Sequence, residues 1–319
     1  MITADAPTEP RHRMCFPLKA SVLLLLLCPA VFPDDLLFSF FRDNGQDGFY
    51  LATSSDGLVW TELHNAKPLL KPTVGENKLM RDPSILQGPD GTFHMVWTTS
   101  WQGNTLGYSS SKDLLEWAPQ REIRPFADSQ GVMNCWAPEL FYDAPSKEFW
   151  IVWASTLEGK FPDTTGTGSG KYNHRLYAIH TRDFATFTPA KLFYDPGFQV
   201  IDGVIFKDGS RYAMIAKNET EKPEAAKNLF LTFADKLEGP WSKAGNPISG
   251  KKWAEGPSPI RIGEYWYMYF DRYRDHAWGA LRSKNLIGWE DVSDRLQMPA
   301  GARHGTAFRG PKAVLDGVR

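Results

Sequence analysis

Short apolar runs broken by Gly, Asp and Pro recur along this chain, and few stretches carry a helical period. One element repeats: a strand-like run, a turn with Asp or Asn, then Leu or Phe, then an aromatic. Its copies end at Trp60, Trp117, Phe187, Trp241 and Trp289. Ahead of each copy lies a second run, at 36–41, 92–100, 148–155, 211–218 and 265–271. A third run opens four of the units, from Arg81, Trp136, Ile201 and Glu255, and a fifth opener starts at His304, after the last aromatic turn. The first copy has no opener, so the chain starts partway through a unit and ends with the missing strand. A ring closed by strands from both termini does this. The pattern predicts an all-β, five-bladed β-propeller of about four strands per blade. A β-sandwich would require the five copies and their circular offset to be accidental. The one hint of helix is a short turn near 221–227.

The N-terminus reads differently. Arg11, Arg13 and Lys19 precede an apolar run from Ala20 to Cys28, and small residues follow near Pro29 and Ala30. This is the order of a secretory leader, and the run is too short for a comfortable membrane span. Met14 offers a second start. The expected organisation is a leader over 1–33 and a catalytic propeller over 34–319, with a secreted or periplasmic location. Lipid attachment at Cys28 is disfavoured because leucines precede it. Once the leader is cleaved Cys135 is the one remaining cysteine, so the core holds the fold without an internal disulfide. No other stretch reads as a membrane span.

Charge removes further classes. With 36 basic and 37 acidic residues the net charge is -1, so no basic excess points to nucleic acid. A monomer is expected. The 12 Trp, 11 Tyr and 20 Phe suit sheet packing, and also clefts that stack on sugar rings.

The openers supply the candidate chemistry. In a propeller the first strand of each blade lines the axis, so Asp82, Glu139, Asp202, Glu255 and His304 should converge, and they are expected to share one register. Each has a plain reading as well: Asp82 and Asp202 as turn residues, Glu139 as an ion-pair partner, His304 as a core histidine. Carboxylates buried together raise one another's pKa, which separates them into a base and an acid. Glycoside hydrolysis needs that division.

In order and spacing, "RDPSI", "WAPEL", "VIDGVIF", "AEGPSPI" and "RHGTAF" resemble glycoside hydrolase family 43, from about residue 35 to residue 310. The resemblance implies a five-bladed propeller that cleaves arabinosides or xylosides with inversion. By position it implies Asp82 as general base, Asp202 as the acid that orients and tunes the proton donor, and Glu255 as general acid. Glu139 stands where Asp is commoner and is assigned to the cleft floor. Gly203 replaces an expected alanine and should leave room beside Asp202. The histidine matching His304 lies near the axis and in some members holds a calcium through waters; no cofactor is required, and a structural calcium near the axis is the metal the resemblance allows.

The substrate expected is a carbohydrate carrying α-L-arabinofuranosyl or related pentosyl units. β-Xylosides, galactofuranosides and a non-catalytic carbohydrate-binding propeller are the alternatives. Trp101, just after the second strand of its unit, and Trp136, just before an axial acid, are candidates to stack on sugar, with core packing the plain reading of both. Arg81 could bond a sugar hydroxyl or steady Asp82. The polar, Gly- and Thr-rich segment 156–174 reads as a mobile rim loop. "NET" at Asn218 is a glycosylation sequon. The dozen or so residues after Phe308 lead to the expectation of no appended carbohydrate-binding module.

Overall fold

Alternation along the second strand of each blade explains why these runs read as apolar on both faces. In β9 (Glu148–Ser155) Trp150, Val152 and Ala154 pack toward one neighbouring blade, while Phe149, Ile151 and Trp153 pack toward the other. β5 (Phe93–Thr98), β13 (Arg211–Asn218) and β16 (Tyr265–Arg272) divide their side chains the same way. A period of two therefore serves two interfaces at once. The result is five hydrophobic clusters, each spanning one pair of adjacent blades.

The computed structural model describes residues 1–2, 35–127 and 129–318. Among them lie five antiparallel sheets arranged as a β-propeller. The first blade is β4 (Arg81–Gln87), β5, β6 (Leu106–Ser111) and β7 (Arg121–Ile123); the second is β8 (Trp136–Asp143), β9, β10 (Arg175–Thr181) and β11 (Lys191–Tyr194). The third is β12 (Val200–Asp208), β13 and β14 (Asn228–Ala234), and the fourth is β15 (Glu255–Ile262), β16, β17 (Ala277–Ser283) and β18 (Glu290–Asp291). The last blade pairs β19 (Arg303–Gly310) with β1 (Asp35–Phe41), β2 (Phe49–Ser54) and β3 (Thr61–Glu62), so strands from the two ends of the chain close the ring. The expected leader falls outside the described residues, apart from Met1 and Ile2. Among the described residues no helix is long and apolar enough to cross a membrane.

Two expectations need correction. The third blade has three strands rather than four. The turn expected near 221–227 forms no helix, whereas Lys312–Val318 does, as α1, with Leu315 and Val318 buried against the cluster between the last and first blades.

The repeated turn has a single mechanism. In four copies a hydroxyl (Ser54, Ser111, Thr181 or Ser283) accepts the backbone N–H groups two and three residues on. The Asp or Asn two residues later (Asp56, Asp113, Asp183 or Asn285) then accepts the next two N–H groups. Four donors that the strand end would leave unpaired are thereby satisfied. In the third blade Ala234 stands in place of the hydroxyl residue.

Candidate active site

Every axial strand carries a β-bulge near its start. Arg81 and Ser84 pair with Thr98 and Val96, so Asp82 and Pro83 share the space of one residue on β5. The same extra residue occurs between Trp136 and Glu139, Ile201 and Val204, Glu255 and Ser258, and in β19 between Arg303 and Thr306. At the bulge the backbone turns left-handed, with φ of 51 at Asp82, 46 at Ala137, 53 at Asp202 and 60 at Gly256. Asp tolerates this region better than most residues, and a bulge re-aims the side chain it carries.

This geometry corrects the expectation of one shared register. Asp82, Asp202 and His304 occupy equivalent bulge positions, where the other two blades have Ala137 and Gly256. Glu255 stands one residue earlier, and Glu139 two residues later than its blade's Ala137. The shifts set depth. The Glu255 side chain is 20% exposed and lines the cleft, whereas that of Glu139 is 4% exposed and is not among the cleft-lining residues. The expected place of Glu139 in the cleft floor is therefore one layer too high.

His304 is the hub of the cluster. Its Nδ1 lies 3.3 Å from Asp82 Oδ1, and its Nε2 lies 3.7 Å from Glu139 Oε1. Gly256 packs on the same ring: a Cβ there would fall 2.4 Å from His304 Cγ. The Gly256 N–H donates to Asp202 Oδ2 at 3.0 Å, which joins the segment carrying Glu255 to Asp202. Burial disfavours a charged imidazole, but Asp82, Glu139 and Asp202 outweigh it and lift the His304 pKa to about 10. An imidazolium thus compensates the acids gathered on the axis. Burial pushes Glu139 up, and it pushes Asp202 up to about 6, with His304 and Lys217 pulling Asp202 partly back.

Asp82 is oriented from two sides. Thr98 Oγ1 donates to its Oδ2 at 2.8 Å and itself accepts the Ala137 N–H at 2.8 Å, while His304 faces Oδ1. Glu255 is braced by Lys217, 3.1 Å from Oε2, and Arg303, 3.4 Å from Oε1. Both cations make shorter contacts elsewhere: Lys217 to Glu219 at 2.7 Å, and Arg303 to Asp271 at 2.7 Å. Burial works against the Lys217 charge, but Glu219 and Glu255 hold its pKa well above the usual lysine value. A proton on Glu255 therefore leaves neither cation without a counter-charge.

Asp82, Asp202, Lys217, Glu255, Arg303 and His304 line one cavity of about 700 Å³ at the ring axis. One wall is aromatic. Trp101 is 45% exposed, donates Nε1–H to Asn44 at 3.0 Å and carries the Arg81 guanidinium 4.2 Å over its ring. Arg81 also donates to Asn44, which makes it a brace for Trp101 at the cleft edge. Trp136 meets Trp101 edge-on at 5.6 Å and also contacts Tyr172 and His174, so its ring is committed to the wall. Across the cleft stand Trp253 and Tyr273. Segment 156–174 does rim the site, through Ser169, Tyr172 and His174, and it is pinned there. Thr167 accepts the N–H groups of Glu221 and Lys222, and Arg175 bonds Thr164 while covering Phe161. The room expected beside Gly203 is filled, since a Cβ there would meet Leu176 at 2.4 Å.

The matching profile for this chain is the family-43-related probable glycosyl hydrolase domain, over residues 34–309. The chain belongs to that family. It is 24% identical over 267 residues to an alpha-L-arabinofuranosidase of Bifidobacterium longum subsp. longum, covering 69% of this chain and 24% of that protein. It thus spans about a quarter of the length of that curated relative. Among solved structures it resembles an alpha-L-arabinofuranosidase from Lactobacillus brevis, at 20% identity and TM-score 0.52 over 67% of this chain and 72% of that one. A Hadza microbial sialidase aligns at 16% identity and TM-score 0.54, over 78% and 55% of the two chains. At these identities the solved structures share the fold.

Within the family-43-related domain, sequence reasoning missed Lys217, Glu219, Arg303, Asp271, Tyr172, His174, Trp253 and Tyr273. Two signals were readable. Lys217 and Asp271 are charges at the ends of otherwise buried second strands, paired opposite Ile201 and Glu255. The loop aromatics carry no comparable mark. Among the described residues no group of three or more His, Cys, Asp or Glu could hold a metal ion directly. Within the acid cluster His304 faces Asp82 and Glu139, while Lys217 and Arg303 face Glu255.

Proposed function

We propose that this protein is an exported, inverting glycoside hydrolase acting on α-L-arabinofuranosyl or related pentosyl linkages. The observation that carries the reading is the meeting of Asp82, Asp202 and Glu255 in one aromatic-walled cleft, around a single imidazolium. Asp82, fixed by Thr98 and His304, removes a proton from a water as that water attacks the anomeric carbon. Glu255 gives its proton to the departing glycosidic oxygen. Asp202 positions the Glu255 segment through the Gly256 N–H. Net, water adds across the bond, and the base and acid exchange protonation states before the next turnover. The similarity to arabinofuranosidases supports the pentosyl choice, and the basic-then-apolar N-terminal run supports export.

A panel of nitrophenyl arabinofuranoside, xyloside and galactofuranoside, with linear arabinan and anomeric analysis of the products, tests this reading. Glu255→Gln should lose about 10²–10⁴-fold on arabinan and much less on the nitrophenyl glycosides, whose leaving group needs little protonation. Equal losses on both would remove Glu255 from the acid role. Retained anomeric configuration would remove the inverting mechanism.

A further inference from the structure

The cations that line the cleft are Arg81, Lys217, Lys227, Arg274, Arg303 and His304. All but one are engaged. Arg81 donates to Asn44, Lys217 pairs with Glu219 and Glu255, and Lys227 pairs with Glu219 and Glu221. Arg303 pairs with Asp271 and Glu255, and His304 faces Asp82 and Glu139. Arg274 is exposed, and among the described residues its guanidinium has no ion pair and no hydrogen bond. It lies 4.5 Å over the Trp253 ring. The acid beside it in sequence, Asp275, is taken by Lys252 at 2.7 Å.

Position gives this unspent charge a direction. Trp253 precedes Glu255 by two residues, and Asp271 pairs with Glu255 in register, so the turn after β16 rises beside the same carboxyl. The Lys252–Asp275 ion pair ties the segment of Trp253 to the turn of Arg274. Around Glu255 the cations are Lys217, Lys227, Arg274 and Arg303, and the acids are Glu219, Glu221, Asp271 and Glu255 itself. When Glu255 holds the proton it is to donate, this side of the cleft has one cation more than it has carboxylates. The proton donor meets the departing oxygen, so the excess charge faces the departing part of the substrate. A guanidinium laid over an indole keeps its N–H fork for a planar acceptor with two oxygens.

We propose that Arg274 binds a carboxylate on the departing part of the substrate, so that the cleft selects pentosyl units attached to a uronic acid. This rests on the glycosidase reading, with Glu255 as proton donor, and adds the chemistry of the leaving sugar.

The experiment uses the full chain and three disaccharides that share the glycone selected by the nitrophenyl panel. Their second sugar is galacturonic acid, its methyl ester, or galactose. The acid should be cleaved with a kcat/KM about tenfold above the other two, chiefly through a lower KM. Raising salt from about 20 mM to about 500 mM should narrow that gap. Arg274→Gln should bring the three substrates level, and Arg274→Lys, a point charge without the fork, should keep part of the preference. Equal kcat/KM for the three in the unmodified protein would overturn the proposal. So would a preference that survives in Arg274→Gln, or a loss in that variant shared equally by all three. Cleavage of the galactose disaccharide with no gain for the acid removes this proposal alone. If no glycoside in the panel is cleaved, the glycosidase reading falls and the proposal with it.

Discussion

The two ends of each blade treat the same repeat in opposite ways. At the outer turns of four of the blades the side chains repeat with the backbone, because each Ser/Thr–Asp/Asn pair has the same four N–H groups to satisfy. At the axis the bulge repeats in the backbone, but the side chains diverge into Asp82, Ala137, Asp202, Gly256 and His304. Equal tasks preserve residue type, and unequal tasks do not. In a ring of similar blades, repetition marks scaffold, and departure from repetition marks the place where distinct roles are divided.

The sharpest way to break that comparison is at Asp82. Asp82→Asn should lower kcat/KM by about 10³–10⁴-fold with a melting temperature within a few degrees of the parent. Activity within tenfold of the parent, or a collapse in stability, would show that this axial position is scaffold as well.

His304 gives a pH test of the same division. Folded, it keeps its proton to about pH 10, whereas an unfolded imidazole loses it near 6.5. Its contribution to stability is whole below about pH 6.5 and is lost as pH rises through about 10. Denaturant midpoints measured from pH 6 to pH 10 should fall in the parent and lose most of that slope in His304→Gln. Parallel curves would remove the imidazolium from the account.

At the outer edge Ser111→Ala takes away the acceptor for the Asp113 and Leu114 N–H groups. The expected cost is about 1–2 kcal/mol of stability, with kcat/KM unchanged. A thermal melt and a nitrophenyl assay on one sample decide it, and a loss of activity without a loss of stability would reverse the assignment. The smallest effect belongs to Ala137, which has no polar group yet sits in the left-handed bulge at φ 46. Ala137→Gly relieves that conformation and should raise stability by up to about 1 kcal/mol. Destabilisation would mean that the Ala137 methyl packs for more than the bulge costs.

The ring was legible in the sequence because each strand's alternation feeds two inter-blade cores and because the outer turns reuse the same residues. Asp82, Asp202, Glu255 and His304 were legible as polar breaks in apolar openers. Their relative depth was not, because a bulge inserts one residue without changing composition, so Glu255 and Glu139 read as equivalents when they lie on different layers. The braces were hidden for a different reason. Lys217 reaches Glu255 from the preceding blade, and Asp271 reaches Arg303 in the following one. Contacts of that kind depend on blade order in space, which no local window contains. His174 was hidden among loop residues, and only the fold brings it against Tyr172 and Trp136.

Arg303 and His304 both belong to β19, the strand that pairs with β1 to seal the circle. A ribosome delivers Asp82 long before it delivers that strand, so the emerging polypeptide holds the axial acids before it holds Arg303, His304 or a closed ring. On the proposed function, activity and closure of the ring would arrive together, and a chain interrupted before residue 303 is expected to show no glycosidase activity.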